Sequence, residues 1–368
     1  MCGALLMIAS GVAIVGEKVI IARYTGTIRQ ESLLGSDTLA HDTKGHVSIN
    51  GPINLLLAGI DERPDDPANG ARSDTDIIVH IPASHDAAYL ISLPRDTRVA
   101  IPASPRTRYP GGTDKLNAAF EFGYQNGGGR AGGFELLART IKGMSGISFN
   151  GGAIVNFDGF QTLVKALGGV NMCVDEKVIS IHIGQDRHGH FATPYHLDAG
   201  LNPHPVPGVT PQVYQPGCQH LEAWQALDYV RQRELVADGD YGRQRHQQQF
   251  IKAVAKEATS SGVVTNPAKL DTVIRSAGKL LTFDGGGISI EDWIFALKDV
   301  NGGGITMIKT NAGKFNPLTV DGQVFETLTT DSQQLLQAVR DDTVAAFVAA
   351  HPDWVAADGT TPIAAAGA

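Results

Sequence analysis

The sequence predicts an α/β protein, a three-layer sandwich in which helices flank a central mixed β-sheet. Three observations carry that expectation. "INLLLAGI" (residues 53–60) is an unbroken apolar run, as in a strand buried on both faces. "TDIIVHI" and "AAYLISL" follow it, divided by "PASHD", a turn of the composition found between antiparallel strands. Further downstream, helical periods alternate with short apolar runs, the pattern of elements shared between a sheet and covering helices.

Taken in order, the chain opens with "MCGALLMIASGVAIVGEKVIIARYTG", apolar from Cys2 to Gly16 and again from Val19 to Ala22. A full span takes about 20 apolar residues. Residues 1–22 therefore read as a membrane anchor clipped at its start, with a buried helix at the head of a soluble domain as the alternative. No small-residue cleavage site follows, which favours an anchor over a removed signal peptide. Residues 23–52 are polar and weakly periodic, as a linker would be. The main domain is expected over 53–350. Helices are predicted near 133–143 and 158–167, with "AIVNF" and "VNMCV" as strands beside them. Residues 176–217, rich in Pro, Gly and His, read as a long excursion. Helices return near 219–231, 241–259, 266–281 and 289–299. "GITMIKT" is one more strand, "DSQQLLQAVRDDTVAAFV" a closing helix, and 351–368 a flexible tail.

The 368 residues are 42% hydrophobic and 18% charged, which suits a globular protein. Thirty basic against thirty-eight acidic residues leave a net charge of −8, which argues against a nucleic-acid binder. A basic cluster in so acidic a chain carries information. Of the three cysteines, Cys2 heads the apolar segment. Cys173 and Cys218 remain, either as a bridge closing roughly 45 residues and contributing about 4 kcal/mol, or as two unrelated buried thiols.

Charged groups stand where the predicted strands end. Asp61 and Arg63 follow the strand at 53–60, Arg72 and Asp74 precede the next, and Arg95 follows the third. Antiparallel polarity would bring all three clusters to one edge of the sheet, where ligands of open α/β sheets sit. Asp61 and Asp74 are suited to hold magnesium with a phosphate completing its shell. Ordinary surface salt bridges are the alternative for any one cluster. "YVRQRELVADGDYGRQRHQQQF" (229–250) adds Arg231, Arg233, Arg243, Arg245 and His246. On a helix starting near Asp240, Arg243, His246 and Gln247 share a face. Arg231 and Arg233 reach a common cleft only if the preceding helix frays after Val230. Arginine forks bind phosphate oxygens bidentately and stay charged, so this set reads as a pyrophosphate clamp. His182, His188, His190, His196 and His204 lack a metal-ligand spacing, and "NGGGRAGG" (126–133) lacks the Gly-Lys-Ser/Thr ending of a phosphate loop, so it reads as a flexible connector.

"GIDER", "RSDTDIIV", "SLPRDT", "DKLNAAFEFG", "VNFDGFQTLVKALGGV", "ALDYVRQR" and "DGDYGRQRHQQQF" occur in the order seen in the LytR–CpsA–Psr family. The resemblance runs from about residue 53 to 260. It implies a short cytoplasmic N-terminus, one span of the cell membrane and an extracytoplasmic catalytic domain. The implied reaction moves a phosphate-linked glycopolymer from a polyprenyl-pyrophosphate donor to a hydroxyl of a peptidoglycan acceptor. Carried over by position, Asp61 and Asp74 look like magnesium ligands. Arg63, Arg72, Arg95, Arg231, Arg233 and Arg243 look like pyrophosphate contacts, supported by Lys115 and Gln247. Asp74, Arg95 and Arg233 are the implied catalytic groups, and Asp74 or Asp96 the candidate base. His246 stands where many members carry a second arginine, for which Arg245 or a protonated His246 would compensate; Asp76 stands where an apolar residue is common. A Cys173–Cys218 bridge resembles one in actinobacterial-type members. The carrier's apolar slot is expected between the sheet and the helices at 133–143 and 158–167. A hydrolase that splits the same pyrophosphate with water, and a non-catalytic polyprenyl-phosphate binder, are the rival readings.

Overall fold

Three consecutive apolar strands build the middle of the sheet, and their parity decides what lies on either side of it. The computed structural model describes residues 29–40, 49–62, 70–260, 281–288, 293, 300 and 304–360. In chain order its main elements begin with β1 (Arg29–Gln30), β2 (Ile53–Ile60), β3 (Ser73–Ile81), β4 (Ala88–Leu93), α1 (Leu116–Tyr124) and α2 (Gly129–Ser145). Next come β5 (Gly151–Asn156), α3 (Phe157–Leu167), β6 (Val170–Val174), β7 (Val178–Asp186), β8 (Gly217–Leu221), α4 (Ala223–Tyr229) and α5 (Gly239–Ser260). The chain closes with β9 (Leu281–Asp284), β10 (Ile305–Lys309), α6 (Thr330–Arg340) and α7 (Val344–Ala350).

The main sheet runs β1-β9-β5-β2-β3-β4-β10. β3 lies antiparallel between β2 and β4, with Leu57 opposite Ile77 and Ile78 opposite Ile91. β5 runs parallel to β2, and β10 parallel to β4, so the sheet is mixed as expected. Successive side chains alternate faces. Leu55, Leu57, Ile77, Val79 and Leu90 pack with Val164, Tyr229, Phe250 and Val254 of α3, α4 and α5. Leu56, Ala58, Ile78 and Ile91 pack with Phe120, Phe134, Leu137 and Leu335 of α1, α2 and α6. Both faces are thus buried in a three-layer sandwich, which is why β2, β3 and β4 read as largely apolar runs.

Several elements differ from expectation. The connector read into "NGGGRAGG" is half helix, because α2 already starts at Gly129. Its small residues let α1 and α2 touch: a Cβ on Gly123 would lie 2.3 Å from the Gly132 carbonyl oxygen. The helix expected from 219 begins only at Ala223, since β8 pairs with β6 first. The excursion at 176–217 is itself β-structured, with β7 flanked by Phe191–Ala192 and Val209–Tyr214. The single closing helix is two, interrupted where Asp342 takes a positive φ of 55°.

The expected linker and tail also join the fold. β1 pairs with β9, Leu33 and Leu34 are buried, and their amides donate to Asp284 Oδ2 at 2.7 and 2.9 Å. Trp354 and Ala356 are buried, and the Ala356 amide bonds the Met307 carbonyl at 2.8 Å. Residues 351–360 therefore complete the β10 edge rather than starting a flexible tail. The proposed anchor, most of the helices expected at 266–281 and 289–299, and 361–368 lie outside the described residues. Leu281 opens β9, and Trp293 is a buried core residue. No helix among the described residues is long and apolar enough to cross a membrane.

Cys173 and Cys218 face one another across β6 and β8 and are joined by a disulfide. It closes 45 residues of chain. Reduction is expected to cost about 4 kcal/mol on the chain-entropy account. Urea unfolding with and without reductant checks this, and an unchanged midpoint would contradict it.

Candidate active site

The antiparallel register delivers the end of β2, the start of β3 and the residues after β4 to one edge, as Ile60 lies opposite Ser73 and Asp76 opposite Leu93. Parallel pairing adds the end of β5, with Asn156 beside Ile60. A cleft of about 200 Å³ opens there. Asp61, Asp74, Arg95, Arg231, Arg233, Arg243 and Gln247 all line it.

Local structure explains each placement. α4 ends at Tyr229 with Val230 as its C-cap, which frees the backbone to aim both Arg231 and Arg233 at the cleft. The Arg231 guanidinium lies 4.5 Å over the Phe157 ring. Arg233 Nε donates to Glu234 Oε1 at 2.7 Å. Arg243 and Gln247 stand one turn apart on α5. Arg243 Nη2 reaches Asp240 Oδ1 at 2.6 Å and the Asp74 carbonyl at 3.0 Å. Arg95 Nη1 donates to Asp74 Oδ1 at 2.6 Å, while its Nε lies 3.7 Å from both Asp96 and Asp240. Burial alone would lower the Arg95 pKa, but Asp74, Asp240 and Asp96 outweigh it and raise it, so this cation stays charged.

Among the described residues that line or adjoin the cleft, Arg95, Arg231, Arg233 and Arg243 meet Asp61, Asp74, Glu234 and Asp240, four cations against four anions. Asp61 and Asp74 offer the hard oxygen donors that suit a divalent cation such as magnesium. Among the described residues, Arg95 Nε and Arg243 Nε find no hydrogen-bond partner although buried, as donors awaiting an anion's oxygens would.

Other expected residues stand elsewhere. Arg72 is largely exposed and bonds Glu121 at 2.6 Å, outside the cleft lining. Lys115 pairs with Asp96 at 2.9 Å, again outside the lining. Arg63 lies outside the described residues. His246 does not share the cleft face with Arg243 and Gln247: it is fully buried and stacks on Tyr229 at 4.4 Å. Arg245 is bound to Asp175 at 2.6 Å and Asp238 at 2.9 Å. Neither residue compensates for a missing phosphate contact, because both project from the side of α5 that faces the end of β6.

The apolar half of the cleft comes from Val155, Phe157, Phe160, Leu227, Val230 and Phe250. The helix expected at 158–167 therefore lines the slot, whereas the one at 133–143 packs on the opposite face of the sheet. Sequence reasoning weighed His182 only as a metal ligand in the excursion, whereas it lines the cleft from β7. Burial, reinforced by Arg231 and opposed by Glu234, pushes its pKa down and leaves it neutral. The only signal for His182 was the alternation of "VISIHIG", which the surrounding Pro- and Gly-rich sequence obscured.

Asp76, one step further along β3, is fully buried with Ser73 Oγ donating to its Oδ2 at 3.2 Å. Burial pushes its carboxyl pKa well above the ordinary range; Asp74 adds to this, while Ser73 and Arg243 oppose it. The folded state thus holds this proton more tightly than the unfolded chain, whose Asp titrates near ~3.9. Its contribution is lost as pH rises from there through the folded value. Asp76→Asn is expected to raise Tm by several degrees at about pH 8, a gain that shrinks towards about pH 4. Melting curves across pH test it; a parallel offset at every pH would show that the proton is not the cause.

The LytR_cpsA_psr family profile matches residues 24–340. Polyisoprenyl-teichoic acid–peptidoglycan teichoic acid transferase TagU of Oceanobacillus iheyensis is 31% identical over 218 residues, covering 59% of this chain and 55% of that protein. TagU of Halalkalibacterium halodurans is 28% identical over 280 residues, covering 74% and 77%. The chain thus spans just over half the length of the first relative and about three quarters of the second. Among solved structures, B. subtilis TagV superposes with a TM-score of 0.57 at 20% identity, over 80% of this chain and 98% of that one. The structure described as TagT bound to LIIa-WTA gives 0.52 at 20% identity, over 83% and 99%. These superpositions show a shared fold, and with the profile running through most of its length the chain belongs to the LytR–CpsA–Psr family.

Proposed function

We propose that this protein transfers a phosphate-linked glycopolymer from a polyprenyl-pyrophosphate carrier to a peptidoglycan hydroxyl. The observation that carries the reading is an arginine-lined cleft continuous with an apolar slot, joined where Arg231 stacks on Phe157. Such a site matches an amphiphile with a charged head and a prenyl chain. The relatives named as polyisoprenyl-teichoic acid–peptidoglycan transferases support the same reaction class. The Cys173–Cys218 bridge supports an oxidising, extracytoplasmic setting, with the N-terminal segment tethering the domain to the membrane.

In this reading the acceptor hydroxyl oxygen bonds to the glycan-side phosphorus, the bond from that phosphorus to the bridging oxygen breaks, and prenyl phosphate leaves. Arg231, Arg233 and Arg243 bind the phosphate oxygens and stabilise the charge that gathers on the leaving group. Asp61 and Asp74 would hold a magnesium ion, which supplies further neutralisation of those oxygens when bound. Arg95 orients Asp74 through its Oδ1. The acceptor proton passes to Asp74; a loose transition state needs only a weak base. Asp96, the other candidate base, is turned to Lys115 outside the cleft.

The test incubates the full chain in detergent with a short-chain prenyl-pyrophosphate glycan, magnesium and a peptidoglycan oligomer, and weighs the products. An acceptor gaining a phosphate-linked glycan is expected. The adduct should vanish with chelator, return with magnesium, and fall roughly 100-fold or more in Arg233→Ala. Prenyl phosphate released without an adduct would indicate the hydrolase. Carrier bound with no product at all would indicate a binding protein.

A further inference from the structure

Behind the cleft, on the far side of α5, lies a buried polar cluster that the transfer reaction does not use. Asp175 and Glu176 follow β6, and His246 projects towards them from α5. The side chains of Asp175 and His246 are 0% exposed and that of Glu176 is 19% exposed. His246 Nε2 lies 3.6 Å from both Asp175 Oδ1 and Glu176 Oε1. That is too long for a hydrogen bond. It is close to the separation of about 3.4 Å expected for two ligands held at ~2.1 Å by one tetrahedral metal ion.

Hydrogen bonding within the cluster is lopsided. Asp175 Oδ2 accepts from Arg245 Nε at 2.6 Å and from Gln249 Nε2 at 2.8 Å, while Asp175 Oδ1 accepts from none of the described residues. Neither ring nitrogen of His246 has a hydrogen-bond partner among the described residues, although the ring is fully buried and clamped against Tyr229. Buried polar atoms left open in this way call for an ion or water. Arg245, which also bonds Glu176 through Nη2, fixes both carboxylates, the role that hydrogen-bond donors behind metal-ligating carboxylates commonly play. Charge points the same way: Asp175, Glu176 and Asp238 face Arg245, and Lys309 lies near enough to feel Arg245 and Asp238. Among the described residues, these are three anions against two cations.

We propose that Asp175, Glu176 and His246 form a binding site for a divalent transition-metal ion of the zinc class. One imidazole nitrogen and two carboxylate oxygens suit zinc better than magnesium, which prefers an all-oxygen shell. The ion ties the end of β6 to the middle of α5, whose other face presents Arg243 and Gln247 to the cleft. It is distinct from the pair Asp61 and Asp74.

The test titrates the metal-stripped full chain, disulfide intact, with Co2+ as a visible stand-in for zinc, in a Cys2→Ser background that removes the remaining thiol. One equivalent is expected to bind with tetrahedral visible bands, to be displaced by Zn2+, and to raise Tm by several degrees. Glu176→Gln, at a partly exposed position that tolerates change, and His246→Gln are each expected to weaken binding roughly 10-fold or more. Asp61→Asn and the double variant His188→Gln/His190→Gln are expected to bind as before. No uptake by the otherwise unaltered chain overturns the proposal without recourse to any site variant. Uptake that survives Glu176→Gln places the metal elsewhere and overturns it equally.

Discussion

Asp74→Asn is expected to lower the transfer rate by about 100-fold or more while leaving the fold intact. The side chain holds Arg95 through its Oδ1 at 2.6 Å and lines the cleft together with Arg231 and Arg233, which follow α4, and Arg243 of α5. Asparagine keeps the shape but removes the charge that orients Arg95 and the oxygen that would hold magnesium. The Asp74 carbonyl still accepts from Arg243, so the backbone of β3 stays anchored. Initial rates at saturating magnesium, beside circular dichroism of the variant, measure the effect. A loss smaller than about 3-fold would remove Asp74 from the reaction, since groups acting on transition-state charge cost far more than that.

Leu227→Trp is expected to weaken carrier binding without unfolding the protein. Leu227 sits in the apolar wall of a cleft of about 200 Å³, together with Phe160 and Phe250. An indole at that position fills the volume a prenyl chain would occupy, and overpacking costs about 1–3 kcal/mol where the ring cannot swing into open space. Affinity for a prenyl pyrophosphate should fall roughly 10-fold or more, because each buried methylene is worth about 0.8 kcal/mol. Inorganic pyrophosphate, which needs only the cations, should bind as before. Equal losses for both ligands would mean that the apolar wall is not the lipid slot.

The sheet was legible because both of its faces are buried, so β2, β3 and β4 are apolar but for a few polar residues, unlike an amphipathic helix. The convergence of Asp61, Asp74 and Arg95 followed from strand polarity alone. Arg231 and Arg233 followed from recognising that α4 must end before them. What stayed hidden depends on direction rather than sequence spacing. Arg72 and Asp74 are two residues apart, yet Glu121 of α1 draws Arg72 out of the cleft. His246 lies within one turn of Arg243, but 60° of helical rotation suffices to turn it from the cleft into the cluster behind. The slot was placed against the wrong helix on one side, because an amphipathic face gives no sign of which side of the sheet it will cover. Leu33, Leu34 and Ala356 were absorbed into linker and tail because isolated apolar residues in polar sequence carry no period.

One measurement bears on the central claim most directly. A polyprenyl-pyrophosphate glycan radiolabelled only in its glycan-side phosphate is given to the full chain with magnesium and peptidoglycan, and the label is followed. Phosphoryl transfer to an acceptor hydroxyl predicts that the label enters peptidoglycan together with the glycan, while unlabelled prenyl phosphate is released. Label recovered in free glycan phosphate, or left on the carrier, would contradict the account.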